Sequence, residues 1–387
     1  MQENMLGAYG AWAAALVGEG PAALSFRNPA WADLDHWRVE ARRRVLDCLA
    51  PPDSGPMPAV TVQRRYHYDG LQIEELTWQL PYGPPTEAVL LKPAGAAGPL
   101  PGIVALHDHG GNKYLGKRKI SRVDDTPHPL ALAHQDQYYG GVAWANELAK
   151  RGYVVLVHDA FAFASRRIHL SDVPAQIRGG LSETDLEHPD PEHPDQIDAY
   201  NQWAAGHESI MAKSLLCAGT TWPGVFLAED QRAVDVLSAR AEVDETRIGC
   251  AGLSGGGLRT VYLGGLDPRI RCAVCVGMMS TWRDYLLHKS HTHTWMIYIP
   301  HLPRELDYPE ILGLRAPQPT MVLNDIDDQL FTMPEMERAD AMLRQVFDKA
   351  GRPERYQSHF YPGPHKFDLT MQADAFAWFD RWLKETG

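Results

Sequence analysis

The stretch Arg247-Ile-Gly-Cys-Ala-Gly-Leu-Ser-Gly-Gly-Gly257 decides the fold, because a short apolar run ends there in a serine set between glycines. Gly252-Leu-Ser-Gly-Gly256 fits the pattern G-x-S-x-G, whose glycines allow a sharp turn from a strand into a helix and leave the serine hydroxyl exposed. Glycine-rich turns around serine also arise by chance. Ser254 is therefore a candidate nucleophile only if the chain also supplies a base, an acid and oxyanion donors.

The chain around this stretch has the sequence pattern of an α/β protein. Short continuous apolar runs, typical of buried parallel strands, alternate with segments of helical length after Pro101. These runs predict a doubly wound sheet with its ligand site at the carboxyl ends of the strands. The predicted parallel strands are Ile103–Leu106, Tyr153–Val157, Ile248–Ala251, Ala273–Val276 and Thr320–Leu323, and three earlier runs, Val60–Tyr66, Leu71–Trp78 and Glu87–Lys92, predict antiparallel edge strands.

Three further segments give the domain organisation. Residues 1–56 predict a helical extension, with one helix through Trp37–Leu46 and a proline-rich linker after it, that could pack on the core, cap the site or mediate a homo-oligomer. Residues 57–387 form the predicted catalytic domain. Two insertions, about 164–221 and 282–317, interrupt its alternation, and we expect them to act as lids or pocket walls. The first contains the His/Asp/Pro-rich run 187–195.

Composition and charge narrow the classes of partner. The net charge of −12 argues against nucleic acid or an anionic membrane, and the apolar runs are too short to span a bilayer. No secretory signal is recognisable at the N-terminus, which favours the cytoplasm. Cys272 and Cys275 lie three apart in a predicted strand, so they should point to opposite faces as buried core residues rather than form a metal or redox pair.

A base and an acid follow Ser254 along the chain. His365, in Tyr361-Pro-Gly-Pro-His-Lys-Phe367 before the final predicted helix, is the candidate base. The acid lies among three aspartates directly after the strand ending at Leu323. We favour Asp328 by its spacing from that strand, with Asp327 as the alternative, whereas Asp325 could simply cap the turn. The order serine, aspartate, histidine matches one of the known serine-hydrolase arrangements.

The oxyanion donors should be two backbone N–H groups. One belongs to Gly255, which follows the serine at a helix N-terminus. The other should come from the glycine-containing loop His107-Asp-His-Gly-Gly111, where we assign His109 with Gly110 as the alternative. His107 has two open roles, bracing this loop or lining the substrate pocket.

Taken together, these residues resemble the α/β-hydrolases, and within them the bacterial esterases similar to dienelactone hydrolases and acetyl xylan esterases. The resemblance covers roughly Thr86 to the C-terminus and includes Trp222–Leu237 and Val243–Ile248, which look like the helix and strand before the nucleophile. It implies an α/β-hydrolase fold and a serine carboxylic-ester hydrolase that uses a Ser-His-Asp triad on small or acetyl esters. Leu253 and the run 158–163 depart from the pattern of relatives, which leaves the acyl group open.

We expect Leu253, His107, Phe161 and Trp282 to line the pocket, and we expect neither a cofactor nor a metal, because the histidines lack a metal-ligand signature. A small-molecule ester is the expected partner. Two alternative functions are a peptidase similar to the prolyl oligopeptidases and a non-catalytic binding protein with this fold. The segment before Pro101 is too short to form a propeller domain, which argues against the peptidase.

Overall fold

The computed structural model describes residues 3–181, 190 and 192–384. Residues 182–189 and 191, which include part of the predicted His/Asp/Pro-rich run, lie outside the described residues.

Nine strands of the described chain form one mixed sheet in the order β1-β2-β3-β5-β4-β6-β7-β8-β9. The pairs β1–β2, β2–β3 and β3–β5 are antiparallel. All other pairs, from β5–β4 across to β8–β9, are parallel, so the antiparallel strands form one edge of the sheet. The strands are β1 (Thr61–Tyr68), β2 (Leu71–Trp78), β3 (Thr86–Pro93), β4 (Leu100–Ala105), β5 (Val154–His158), β6 (Val243–Leu253), β7 (Ile270–Val276), β8 (Thr320–Asp325) and β9 (Tyr356–Tyr361). The predicted α/β sheet with antiparallel edge strands is confirmed.

Helices cover both faces of this sheet. They are α1 (Gly10–Val17), α2 (Leu34–Leu49), α3 (Pro129–Tyr139), α4 (Trp144–Lys150), α5 (Pro194–Cys217), α6 (Trp222–Ser238), α7 (Gly255–Leu266), α8 (Trp282–Leu287), α9 (Tyr308–Gly313), α10 (Met333–Lys349) and α11 (Leu369–Phe379), which continues as a π-helical turn over Asp380–Lys384. Cys272 packs in the apolar cluster that contains α4 and α11, and Cys275 packs in the cluster on the other face. Both are fully buried, which confirms the expected core role.

The N-terminal helices pack onto this body. Asp33 caps α2 by accepting a hydrogen bond from the His36 N–H at 2.6 Å, and Trp37 is buried on the inner face of the helix. Arg44 on the outer side binds Glu305 of the second insertion through two N–H···O hydrogen bonds of 2.6 and 2.5 Å. The extension therefore contacts the core, whereas its roles in capping and oligomerisation stay predictions.

The sequence patterns missed β9 because an edge strand has a neighbour on one side only. Its residues, Tyr356-Gln-Ser-His-Phe-Tyr361, are largely half-buried and lack a continuous apolar run. The predicted strand Ile248–Ala251 was too short at both ends, since β6 runs from Val243 to Leu253 and includes the partly or fully exposed residues 244–247. No described helix combines the length and the apolarity that a membrane crossing requires.

Candidate active site

Ser254 lies at the sharp turn between β6 and α7, in a strained backbone conformation (φ 56°, ψ −115°) that non-glycine residues rarely adopt. The flanking glycines are required by packing. A Cβ atom on either Gly252 or Gly256 would clash with the carbonyl oxygen of Leu106 at the end of β4. Close packing of the turn against β4 therefore holds the serine beside the loop that follows that strand.

His365 and Asp328 form a hydrogen-bonded pair. The His365 Nδ1–H donates to Asp328 Oδ2 at 2.6 Å, and the other Asp328 oxygen accepts the Leu330 N–H at 2.9 Å. His365 Nε2 is buried and has no hydrogen-bond partner among the described residues, Ser254 included. Catalytic hydrogen bonds are often open until substrate binds, so this nitrogen is available to take a proton.

The two other aspartates of the loop, Asp327 and Asp325, make different hydrogen bonds. Asp327 accepts the Gly363 N–H at 2.9 Å at an exposed position and has no hydrogen bond to His365 among the described residues. Asp325 is buried and accepts the Lys366 N–H at 3.0 Å. Asp325, Asp328 and His365 bring potential metal-ligand atoms within 4.8 Å of one another, the one such group among the described residues. Two of these three side chains, Asp328 and His365, are already joined to each other by the short hydrogen bond.

Asp325 should make the stability of the protein depend on pH. Burial raises the pKa of its carboxyl to about 7, although the Lys366 N–H and His365 oppose this. Between about pH 4 and 7 the folded state binds more protons here than the unfolded state, so this group's contribution to stability falls as the pH rises. We expect Asp325→Asn to raise the Tm relative to wild type by about 2 °C more at pH 8 than at pH 4.5. An equal difference at both pH values, measured by thermal unfolding, would contradict this.

The expected oxyanion donors lie together at the serine. A Cβ atom on Gly255 would lie 2.9 Å from the His109 backbone nitrogen, so these two amides are neighbours. The His109 N–H has no hydrogen-bond acceptor among the described residues. Gly255 is the first residue of α7, where an N–H has no partner within the helix. Gly110 also lines the site, but its positive φ (49°) serves the turn of the loop.

These groups surround one cavity of about 250 Å³. Ser254, His365, Leu253 and the loop 108–111 line it. The second insertion contributes residues 292–294, Met296 and Ile297 to the wall, and the remaining lining residues are Tyr138, Gly255, Leu258, Met278 and Leu330. Burial lowers the pKa of His293 to about 4, so its imidazole is neutral at physiological pH.

Three residues predicted for the pocket do not line this cavity. The His107 side chain is buried, and its Nε2 accepts the Ala160 N–H at 3.2 Å. Phe161 packs edge-on against Trp222 at 5.8 Å. Trp282 is buried in an aromatic cluster, donates its indole N–H to the Leu306 carbonyl at 3.0 Å, and lines a separate apolar cavity of about 440 Å³. His107 thus lies outside the cavity lining, and its role in bracing the loop stays a prediction.

Sequence reasoning also missed a buried ionic network behind the loop. Glu208, on α5 in the first insertion, binds both the His109 Nε2 at 2.8 Å and the Lys113 ammonium. Burial raises the pKa of Glu208, but His109 and Lys113 outweigh it and hold the pKa at about 2. Asp108 accepts hydrogen bonds from His134 at 2.9 Å and from the Tyr139 hydroxyl. No motif marks these residues, because their partners come from distant parts of the chain.

The strand order of the sheet and the sharp strand-to-helix turn at Ser254 are those of an α/β-hydrolase fold. No family model matches the chain. A curated relative, YtaP of Bacillus subtilis (strain 168), provisionally named a hydrolase, is 24% identical over 350 residues, which cover 89% of this chain and 100% of YtaP.

Solved structures agree at the level of the fold. A provisionally named acetyl xylan esterase from Bacteroides fragilis NCTC 9343 superposes with a TM-score of 0.66 at 17% identity, over 90% of this chain and 80% of that one. A glucuronoyl esterase from Solibacter usitatus gives a TM-score of 0.61 at 15% identity, over 94% and 97% of the two chains. The α/β-hydrolase fold expected from the sequence resemblance is confirmed.

Proposed function

We propose that the protein is a serine carboxylic-ester hydrolase for esters of small, neutral acyl groups. One observation carries the proposal: Ser254, on its strained turn, and His365, hydrogen-bonded to Asp328, both line one cavity, beside a His109 N–H that has no acceptor in the described part of the chain. The similarity to YtaP and to solved esterase structures supports the same class of reaction.

The geometry suggests how each group acts. The Ser254 hydroxyl attacks the ester carbonyl carbon while His365 Nε2 takes its proton. Asp328 holds the imidazole through Nδ1 and stabilises the imidazolium that forms. The N–H groups of His109 and Gly255 then donate to the developing oxyanion. His365 returns the proton to the leaving alcohol, and water cleaves the acyl-enzyme by the same steps.

The cavity favours a short acyl group without charge. Its volume, about 250 Å³, is below the range of roughly 300–1,000 Å³ common for drug-sized ligands. Leucine, isoleucine and methionine side chains form much of the wall, and no lysine or arginine of the described chain lines it. An acidic acyl group would therefore meet no cationic partner.

Acyl-chain length tests this proposal. With p-nitrophenyl esters, we expect kcat/KM for the acetate to exceed that for the octanoate by about tenfold or more, because each methylene that does not fit costs roughly 1–3 kcal/mol. Met278 is buried in the cavity wall, so Met278→Ala should reduce this preference by enlarging the cavity. Met342→Ala, which shortens a buried methionine on α10 outside the lining, is the matched control and should keep the wild-type preference.

Two outcomes would contradict the proposal. Hydrolysis of no ester in the panel would reject esterase activity, and faster hydrolysis of the octanoate than of the acetate would reject the short acyl site. Turnover of aminoacyl-anilides at rates comparable to the esters would instead favour a peptidase.

A further inference from the structure

Lys119 is a fully buried lysine whose ammonium group donates its hydrogen bonds to the loop that carries His109. The side chain, at the end of the 3-10 turn Gly116–Lys119, is 0% exposed. Its Nζ donates to the backbone carbonyls of Asp108, of His109 at 3.0 Å and of Asn112 at 2.9 Å. An ammonium has three N–H donors, so this one loop satisfies all of them.

The Asp108 carbonyl is the contact that matters for chemistry. It belongs to the same planar trans peptide unit as the His109 N–H, and the two groups point in opposite directions. A cation that holds this carbonyl therefore fixes the direction of the His109 N–H. That N–H lies beside Gly255 and has no protein acceptor among the described residues.

His107 reinforces the same peptide unit from a second side. Its Nδ1–H donates to the Asp108 carbonyl at 3.0 Å, while Nε2 accepts from the Ala160 N–H. A carbonyl oxygen has two lone pairs, and Lys119 and His107 together occupy both. Rotation of this peptide unit would break two hydrogen bonds in a buried site.

We propose that Lys119 is a positioning residue for catalysis, which orients the His109 N–H toward the oxyanion by holding the Asp108 carbonyl. This inference rests on the proposed esterase function. Lys119 touches no reacting atom, so its effect should appear in kcat rather than in substrate binding.

The surroundings of Lys119 connect this role to pH. The Asp108 carboxylate lies 3.7 Å from Nζ, and the Phe163 ring covers the ammonium with its centre at 4.9 Å. Further titratable groups that interact with this ammonium are Lys113, Asp159, His107 and His109. Burial lowers the pKa of Lys119 to about 8, with Asp108 opposing the shift. A neutral amine has one donor fewer and a lone pair that a carbonyl repels. The oriented peptide should thus be lost as the pH rises through about 8.

This loss should not reflect unfolding. With its pKa lowered in the fold, Lys119 binds fewer protons in the folded than in the unfolded state between about pH 8 and 10.5. For this group alone, stability therefore rises with pH over that window while activity falls.

The experiment compares Lys119→Met with Lys117→Met in the full chain, using p-nitrophenyl acetate from pH 6 to 10. Lys117 comes from the same 3-10 turn and binds Glu87 at 2.9 Å and Asp159 at 2.8 Å, but it contacts none of the loop carbonyls. Removing one oxyanion donor typically costs about 10²–10³ in kcat, so we expect Lys119→Met to lower kcat by about 10- to 100-fold with KM changed less than about threefold. Lys117→Met should keep kcat within about threefold of wild type.

The pH profile separates positioning from a purely structural role. Wild type and Lys117→Met should lose kcat above about pH 8, and Lys119→Met should lack this alkaline limb. A wild-type kcat and a retained limb in folded Lys119→Met would overturn the inference. If the methionine variant does not fold, Lys119→Gln replaces it with the same expectations.

Ser254→Ala is assayed alongside to keep the two proposals apart. If Ser254→Ala hydrolyses the ester as fast as wild type, the esterase proposal fails, and the role of Lys119 fails with it. If Ser254→Ala is inactive and both lysine variants behave alike, only the role of Lys119 fails.

Discussion

Replacing Ser254 with alanine is expected to lower kcat for p-nitrophenyl acetate by about 10⁴-fold or more, the range typical of nucleophile removal in serine hydrolases. The hydroxyl is the one atom group of this turn that can form the acyl-enzyme. His365 and the two oxyanion N–H groups remain in the variant, and the residual rate should reflect only their binding and polarisation of the ester. Burst kinetics, present in wild type if deacylation is slow, should vanish.

The fold of this variant should be unchanged, because alanine is smaller than serine and the flanking glycines still permit the close packing against Leu106. A fluorophosphonate probe gives an independent measurement: wild type should gain one adduct on the peptide containing Ser254, and the alanine variant should gain none. Ser290→Ala, a serine that lines the separate apolar cavity, is the control and should keep wild-type activity and labelling. A loss of less than about a hundredfold for Ser254→Ala would remove Ser254 from the role of nucleophile.

The sequence patterns located the candidate site because its main groups occur at strand ends. Ser254 follows β6, Asp328 follows β8, and the loop with His109 follows β4, each after an apolar run that is recognisable by itself. Parallel strands bring such ends to one edge of the sheet. His365 follows β9, which the patterns missed, yet the proline- and glycine-rich loop before the final helix was enough to place it.

The walls of the cavity could not be predicted in the same way. Trp282 and Phe161 have the aromatic character expected of a pocket, but the core clusters around Tyr308 and Trp222 take up their side chains. Which side chains of such a segment face the serine depends on packing against distant parts of the chain rather than on local periodicity. Met278, by contrast, belongs to no motif and lies in the wall.

Buried charges were missed for a related reason. Lys119 and Glu208 look like surface residues in the sequence, since lysine and glutamate are rarely buried without partners. Their partners are the loop carbonyls for Lys119 and the His109–Lys113 pair for Glu208. Only the folded structure brings them together, so the support of the oxyanion loop has no signature along the chain.

Asp328→Asn is the substitution with the second-largest expected effect, a loss of about 10³–10⁴ in kcat with the fold retained. The amide keeps the shape of the carboxylate but removes its charge, and it can present an N–H to His365 Nδ1. The imidazole then no longer has a proton acceptor at Nδ1, so the tautomer with a free Nε2 lone pair is disfavoured. The imidazolium of the transition state also loses the carboxylate that lies 2.6 Å away.

Asp327→Asn is the matched control, because it makes the same chemical change one residue earlier in the loop. Asp327 accepts the Gly363 N–H at 2.9 Å and makes no hydrogen bond to His365 among the described residues, so its kcat should stay within about threefold of wild type. Stopped-flow measurement of single turnovers on both variants would show whether acylation itself is slowed. If Asp327→Asn lost activity and Asp328→Asn kept it, the acid would be Asp327, and the loop would have to rearrange when substrate binds.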